Sequence, residues 1–205
     1  MNLQGIDVSK FQGAINWDSV CQSGVKFVMA RASYGKSSRD NTFAANAAGA
    51  RACGLEVGAY HFCYAETVEQ ARAEAANFLA AVEGFELTYP LALDLEYNAN
   101  TAKALSLWSD MAAAFLREIE DAGYFAMLYS DAYSLANRFN KEKIAPFAVW
   151  VAQWAAKNTY TGPYGIWQNS STGSVPGIAG AVDTSICHVD YAGIIKSKGL
   201  NRPQV

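Results

Sequence analysis

Three times along this chain a glycine separates a helix-compatible stretch from an apolar run. Ser23-Gly24 precedes VKFVMARAS, Cys53-Gly54 precedes LEVGAYHF, and Ala122-Gly123 precedes YFAMLYS. Glycine just past a helix end supplies the left-handed cap conformation at no steric cost. The repeated unit is therefore helix, glycine, strand. Strands that alternate with helices give βα units and a mainly parallel sheet.

The helices can be placed by periodicity. Thr67 and Gln70 match a capping box, and Val68, Ala71, Ala75, Phe78, Leu79 and Val82 follow at helical spacing until Gly84. A second helix follows Thr101, with Leu105, Trp108, Met111, Ala112, Phe115 and Ile119 as its apolar stripe and Gly123 as its stop. Shorter helices are expected near 16–23, 41–53, 132–140 and 190–198. Strands are expected near 3–8, 26–33, 56–63, 90–96, 125–130, 148–154, 165–170 and 182–188. Eight strands in mainly parallel order suggest a closed barrel. A regular (β/α)8 barrel typically takes about 250 residues, and this chain has 205. The stretch from 155 to 188 is rich in Gly, Ser, Thr and Pro and carries no amphipathic helix pattern. The expectation is an α/β fold: a single irregular TIM-like β/α barrel of eight strands, lacking helices between the last ones. One domain is expected over 1–200, with 201–205 as a tail or linker stub.

Composition removes several functions. Net charge is -3 and no Lys/Arg block exists, so a nucleic-acid partner has no electrostatic footprint. A net-negative protein acting on an anionic polymer would need local positive or neutral contacts. No apolar run approaches the length of a membrane helix, so no membrane insertion is expected. The start, MNLQGIDVSK, lacks the layout of a signal peptide. That fits either cytoplasmic synthesis with release at lysis or a catalytic domain trimmed from a secreted protein. Cys21, Cys53, Cys63 and Cys187 form no CxxC pair, and His61 and His188 are far apart. No metal site and no cofactor are expected. The cysteines read as small buried apolar residues, with a disulfide left open.

The chemistry is concentrated in LALDLEYN, residues 91–98. Side chains on a strand alternate faces. Ala92, Asp94 and Glu96 share one face, and Leu91, Leu93 and Leu95 share the other, suited to the outer helices. Two acids are thereby aimed into the barrel near the strand's C-terminal end, the end that carries chemistry in parallel barrels. An acid at a strand end is more often solvated or caps a helix; two on an inner face with apolar flanks need partners. Asp7 in GIDVSK and Asp183 in AVDTSI also sit near expected strand C-termini, Asp183 at an earlier position in its strand. If the barrel closes, strands one and eight are neighbours and these two acids approach each other. Such crowding raises at least one carboxyl pKa, as protonation of a glycosidic oxygen requires. Tyr34, Tyr60, Tyr129, Trp150 and Trp154 lie at or just after strand ends, where aromatic faces suit sugar rings or simply pack in the core.

At these residues the chain resembles the glycoside hydrolase family 25 lysozymes, which include phage endolysins. The resemblance runs through GIDVSKFQG at 5–13, FVMARASYG at 27–35, Asp40 followed by NTFAAN, GAYHF at 58–62, PLALDLE at 90–96, LYS at 128–130, WVAQW at 150–154, IWQ at 166–168 and VDTS at 182–185. It implies an irregular β/α barrel that cleaves the β-1,4 bond between N-acetylmuramic acid and N-acetylglucosamine in bacterial peptidoglycan. Glu96 matches the general acid/base and Asp94 its acidic partner. Asp7 and Asp183 match the remaining acids. Tyr60, Tyr129, Trp154, Gln168 and Tyr34 match groove positions. The partner is the peptidoglycan glycan strand, and a monomer is expected unless a further domain oligomerises it.

Asp94 and Glu96 lie about 6.6 Å apart along one strand by the strand rise. They approach a sugar from one side, which does not suit nucleophile and acid on opposite faces of the bond. Substrate assistance is therefore expected: Glu96 protonates the leaving oxygen, the 2-acetamido oxygen attacks, and Asp94 stabilises the cation formed. A chitin-cleaving enzyme, a non-catalytic glycan-binding barrel and a structural domain are the rival readings.

Overall fold

The structure is a computed structural model and describes residues 1–96 and 105–202. The expected helix start at Thr101 and the end of the expected tail, 203–205, lie outside the described residues. Among the described residues, eight strands close into a ring. In ring order they are β1 (Leu3–Val8), β2 (Phe27–Tyr34), β4 (Glu56–Phe62), β5 (Leu91–Asp94), β6 (Ala126–Asp131), β7 (Ala148–Ala152), β8 (Ile166–Gly173) and β9 (Val182–Cys187), with β1 pairing both β2 and β9. A ninth strand, β3 (Ser38–Arg39), was not expected; it makes a small hairpin on the end of β2. The helices are α1 (Trp17–Gln22), α2 (Phe43–Ala52), α3 (Val68–Val82), α4 (Leu105–Asp121), α5 (Ala132–Asn137), α6 (Lys141–Ile144) and α7 (Tyr191–Lys198). The helix expected over 132–140 is α5, which stops at Asn137, and α6 just beyond that span was not expected. Residues 155–181 contain no helix, as the turn-rich composition predicts.

One strand runs against the rest. β9 is antiparallel to both β8 and β1, while the other ring pairs are parallel. The physical reason is the short β8–β9 connection: a hairpin reverses direction, whereas a parallel partner needs a crossover of a dozen or more residues. This corrects the sequence reading of Asp183. It lies at the start of β9, and reversal of the strand brings that start to the same end as the C-terminus of β1.

Period-two alternation sorts the barrel into two cores. Leu91 and Leu93 pack outward with Ala71, Ala75, Phe78 and Val82 of α3 and Trp108, Met111, Ala112, Phe115 and Ile119 of α4. Phe27, Met29, Ala92, Met127, Trp150, Ile166 and Cys187 fill the interior, where Tyr89 and Tyr191 and Ile195 of α7 complete the cluster. Glycine makes room for the two largest interior groups of β2. A Cβ on Gly5 would stand 2.2 Å from the Phe27 ring, and one on Gly58 would stand 2.6 Å from Met29 Sδ. Burying a side chain such as Phe27 contributes about 1.5–3 kcal/mol. The barrel interior is therefore filled with apolar side chains toward the N-terminal ends of its parallel strands.

Two local details differ from expectation. Thr67 Oγ1 does accept from Gln70 N–H at 3.2 Å, but the Gln70 side chain accepts from Glu66 N–H at 2.7 Å rather than from the cap residue. Cys21 and Cys53 are not isolated apolar residues: they form a disulfide between the end of α1 and the C-cap of α2, with Cα atoms 5.8 Å apart. Cys63 and Cys187 are free and buried.

Candidate active site

The inward positions change character toward the C-terminal ends of the parallel strands. Along β1 the inner residues are Gly5 then Asp7, along β2 Phe27, Met29 then Arg31, along β4 Gly58 then Tyr60, and along β5 Ala92 then Asp94. Registers place Asp7 opposite Asp183, Arg31 opposite Tyr60 and Asp94 opposite Tyr129. The apolar floor thus gives way to a polar mouth, a cavity of about 200 Å³ lined by Asp7, Arg31, Tyr60, Asp94, Glu96 and Asp183 among others. All four acids singled out in the sequence meet there.

Their environments differ. Asp7 and Asp94 are buried, while Glu96 and Asp183 are half-buried. Burial first, and Asp183 second, push the Asp7 carboxyl well above its ordinary range, although the Gln168 amide opposes this. Burial and then Glu96 and Asp7 push Asp94 well up, with Arg31 opposing. Burial, Asp131 and Asp183 raise Glu96, and the Tyr129 hydroxyl lowers it. Burial raises Asp183, against a hydrogen bond with Asp7 that lowers it. The cluster is a coupled set that holds protons to higher pH than isolated carboxyls. Asp94 Oδ1 is buried and has no hydrogen-bond partner among the described residues. An unpaired buried acceptor is costly, and it belongs to a residue that lines the cavity.

The groove residues fall into three groups. Tyr60 and Tyr129 line the cavity. Gln168 is buried behind it as a hub: its Oε1 accepts from Tyr129 O–H at 2.9 Å and Trp154 Nε1–H at 3.0 Å, and its Nε2 donates to Asp7 and Asp183. Trp154 is 61% exposed, outside the cavity. Tyr34 is not a cavity residue either; it stands at the rim against Lys10 and Arg31. Trp150 is buried beneath the mouth, its indole N–H donating to Ser185 Oγ at 3.1 Å.

Sequence reasoning passed over Arg31. Its guanidinium Nε and Nη2 both lie 2.9 Å from Asp40 Oδ2. Burial acts to raise Asp40, but hydrogen bonds from Thr42, the Lys10 backbone and Arg31 outweigh it and hold the carboxyl below its usual value. The signal was present: a charge inside the apolar run FVMARAS, two places beyond Met29 on the same face. A bulge follows, because register shifts between Arg31 and Ser33. The extra residue sends Ser33 outward to His61 Nδ1, 2.8 Å away, and His61 Nε2 meets Glu74 Oε2 of α3 at 2.9 Å. Bulges of this kind re-aim side chains beside functional sites. Phe11, Phe62, Ser9 and Gln12 also line the cavity and carried no separable signal in the sequence.

Proteins of similar sequence and fold are known. Lysozyme M1 of Streptomyces globisporus is 33% identical over 197 residues, covering 88% of this chain and 66% of that protein, so the chain spans just under two thirds of its relative. The CTP1L endolysin superposes with a TM-score of 0.85 at 26% identity, covering 95% of this chain and 70% of that one. The modular autolysin LytC of Streptococcus pneumoniae, in complex with a synthetic peptidoglycan ligand, superposes with a TM-score of 0.78 at 26% identity over 90% of this chain and 46% of that one. The model of glycosyl hydrolases family 25 matches residues 6–178, from the first inward acid region through the β8–β9 connection. The family model covers most of the chain and Lysozyme M1 is 33% identical over 88% of it, so the chain belongs to glycosyl hydrolases family 25.

Proposed function

We propose that the chain is a lysozyme-type N-acetylmuramidase acting on the bacterial cell wall. Its reaction is cleavage of the β-1,4 bond between N-acetylmuramic acid and N-acetylglucosamine in peptidoglycan, with configuration retained by substrate assistance. The observation that carries this reading is the convergence of Asp7, Asp94, Glu96 and Asp183 on one narrow mouth. The peptidoglycan ligand of LytC and the lysozyme relatives support the substrate.

In the free protein the more deeply buried Asp94 competes with Glu96 for a proton. The orphan Oδ1 of Asp94 resolves the competition when substrate arrives. The acetamido N–H of the sugar donates to it, and a hydrogen bond to the ionised form lowers a carboxyl pKa. Asp94 ionises and Glu96 keeps the proton. Glu96 then gives that proton to the glycosidic oxygen as the C1–O bond breaks with its electron pair on the departing oxygen. The acetamido carbonyl oxygen bonds to C1 from the opposite face, and ionised Asp94 stabilises the cationic ring that forms. Glu96, now a carboxylate, takes a proton from water, the water oxygen attacks C1, and the C1–acetamido bond breaks. Inversion twice is retention. In this reading Asp183, on β9 across the eight-stranded ring from β5, holds the water together with Asp7.

Glu96→Gln is expected to lower kcat by about 10²–10⁴-fold with an unchanged melting temperature. Near-wild-type clearing of cell walls by that variant would overturn the assignment. NMR of the first-formed product tests the stereochemistry: the inverted anomer would overturn substrate assistance.

A further inference from the structure

A net charge of -3 and four acids in the mouth leave an electrostatic problem for an anionic glycan. The rim beside β1 and β2 answers it. A short 3-10 turn, Lys10–Gln12, follows β1 and is fixed at three points: Ser9 N–H donates to Gln12 Oε1 at 2.8 Å, Phe11 N–H to Ser9 Oγ at 3.3 Å, and Lys10 N–H to Asp40 Oδ2 at 3.1 Å. Phe11 lines the cavity yet is 75% exposed. Lys10 Nζ lies 5.6 Å from the Phe11 ring centre and 5.4 Å from that of Tyr34, so two aromatic rings hold the ammonium in place. Arg31, the other cation against the same two rings, is committed to Asp40. Among the described residues, no carboxylate stands within ion-pair distance of Lys10 Nζ. An ammonium held in place and left without a counter-ion at the lip of an acidic mouth is suited to an anion brought by the ligand.

We propose that Lys10, on the platform of Phe11 and Tyr34, forms an anion-binding subsite that takes a carboxylate of the muramoyl unit. This rests on the muramidase reading and deepens it. N-acetylglucosamine lacks that carboxylate, so Lys10 favours muramoyl residues over chitin-type glycans. The carboxylate comes either from the lactyl ether, when the stem peptide has been removed, or from the first acidic residue of the stem.

The test compares the wild type with Lys10→Gln and Lys10→Arg on two substrates: glycan strands stripped of peptide by an amidase, and intact peptidoglycan with unamidated stems. Lys10→Gln is expected to raise KM about tenfold at low ionic strength, the size of one partly screened charged hydrogen bond, with kcat within about twofold. The loss shrinks between ~0.02 M and ~0.5 M salt, and Lys10→Arg restores KM. A KM effect on stripped strands identifies the lactyl carboxylate; one confined to intact peptidoglycan identifies the stem. Cleavage by Lys10→Gln with wild-type KM on both substrates, or a loss indifferent to salt, would overturn the subsite alone. Failure of the wild type to cleave either glycan would overturn the muramidase reading and the subsite with it.

Discussion

Asp7 and Asp183 are direct partners across the antiparallel β1–β9 ladder, and one amide serves both: Gln168 Nε2 lies 3.0 Å from Asp7 Oδ2 and 3.3 Å from Asp183 Oδ2. The hydrogen bond between the two carboxyls raises Asp7 and lowers Asp183, the pattern of a pair that shares one proton, with Asp7 as its holder. Gln168 links this pair to Tyr129 in the cavity wall and to Trp154 outside it, so one buried side chain bonds two acids and two aromatic side chains.

Gln168→Leu keeps the volume and removes every one of those bonds. Two carboxyls and a phenol lose partners in a buried setting, which costs about 2–4 kcal/mol. For a chain of this size that is a fall of about 5–15 °C in melting temperature. Activity is expected to fall at least tenfold, because Asp7 and Asp183 lose their common orientation. Calorimetry and wall-clearing assays on one preparation check both, and a variant as stable and active as the wild type would remove Gln168 from the site.

The raised carboxyls set the sign of a pH effect. An unfolded aspartate titrates near 3.9, whereas Asp94 in the fold holds its proton to higher pH. Its contribution to stability is present below the unfolded pKa and is lost as pH rises through the folded one. His61 acts in the opposite sense: burial keeps it neutral, so stability falls as pH drops below its unfolded value of about 6.5. The raw melting curve mixes the two, and the difference between Asp94→Asn and wild type isolates Asp94. That difference should be small near pH 4 and grow in favour of the variant toward pH 8. A difference flat across this range would show that Asp94 carries no burial penalty.

The sequence was most legible where one periodicity governed. LALD reads correctly because a strand between helices and a filled barrel must alternate: Leu91 and Leu93 join the outer core, Ala92 the inner one, and Asp94 is buried at the strand's end, while Glu96 lies two residues beyond β5 rather than on it. The short, helix-free C-terminal connections were legible from their turn residues. The direction of β9 was not, because an apolar run such as AVDTSIC is compatible with either sense and only the hairpin decides. Asp183 reached the mouth for a reason the sequence reading had reversed. Arg31 and Glu74 were missed because each hides in an otherwise ordinary stripe, and its partner, Asp40 or His61, comes from another element. The Cys21–Cys53 bond depends on where α1 and α2 end in space, which spacing along the chain does not fix.

That bond supplies a prediction with no catalytic component. Helices of the βα units run against the strands they cover, so the ends of α1 and α2 lie toward the floor of the barrel, away from the mouth. The disulfide spans a sequence separation of 32 and, by the chain-entropy relation, contributes about 3–4 kcal/mol. The double variant Cys21→Ser, Cys53→Ser is expected to melt about 6–15 °C lower with kcat unchanged at 25 °C. Loss of kcat in a variant that remains folded would show that the bond reaches the site.

Arg31 links the buried Asp40 pair to the chemistry. It is the cation that opposes the rise of the Asp94 carboxyl, and it lines the same cavity. Arg31→Gln removes the charge while Asp40 retains its hydrogen bonds from Lys10 N–H at 3.1 Å, Thr42 N–H at 3.0 Å and Thr42 O–H at 2.7 Å, so the loop beyond β2 keeps its anchor. Without the guanidinium, Asp94 holds its proton to higher pH. If ionised Asp94 stabilises the cationic intermediate, the fraction of competent enzyme–substrate complex at a given acidic pH falls, and the acidic limb of kcat moves upward. The alkaline limb, set by protonated Glu96, should move less, because Arg31 is not among the groups that shift Glu96. Arg31→Lys keeps a charge but loses the two-nitrogen contact with Asp40, and its acidic limb should fall between the other two. A uniform fall in rate with both limbs in place would assign Arg31 to packing alone, since a purely structural defect has no reason to shift one side of a pH profile.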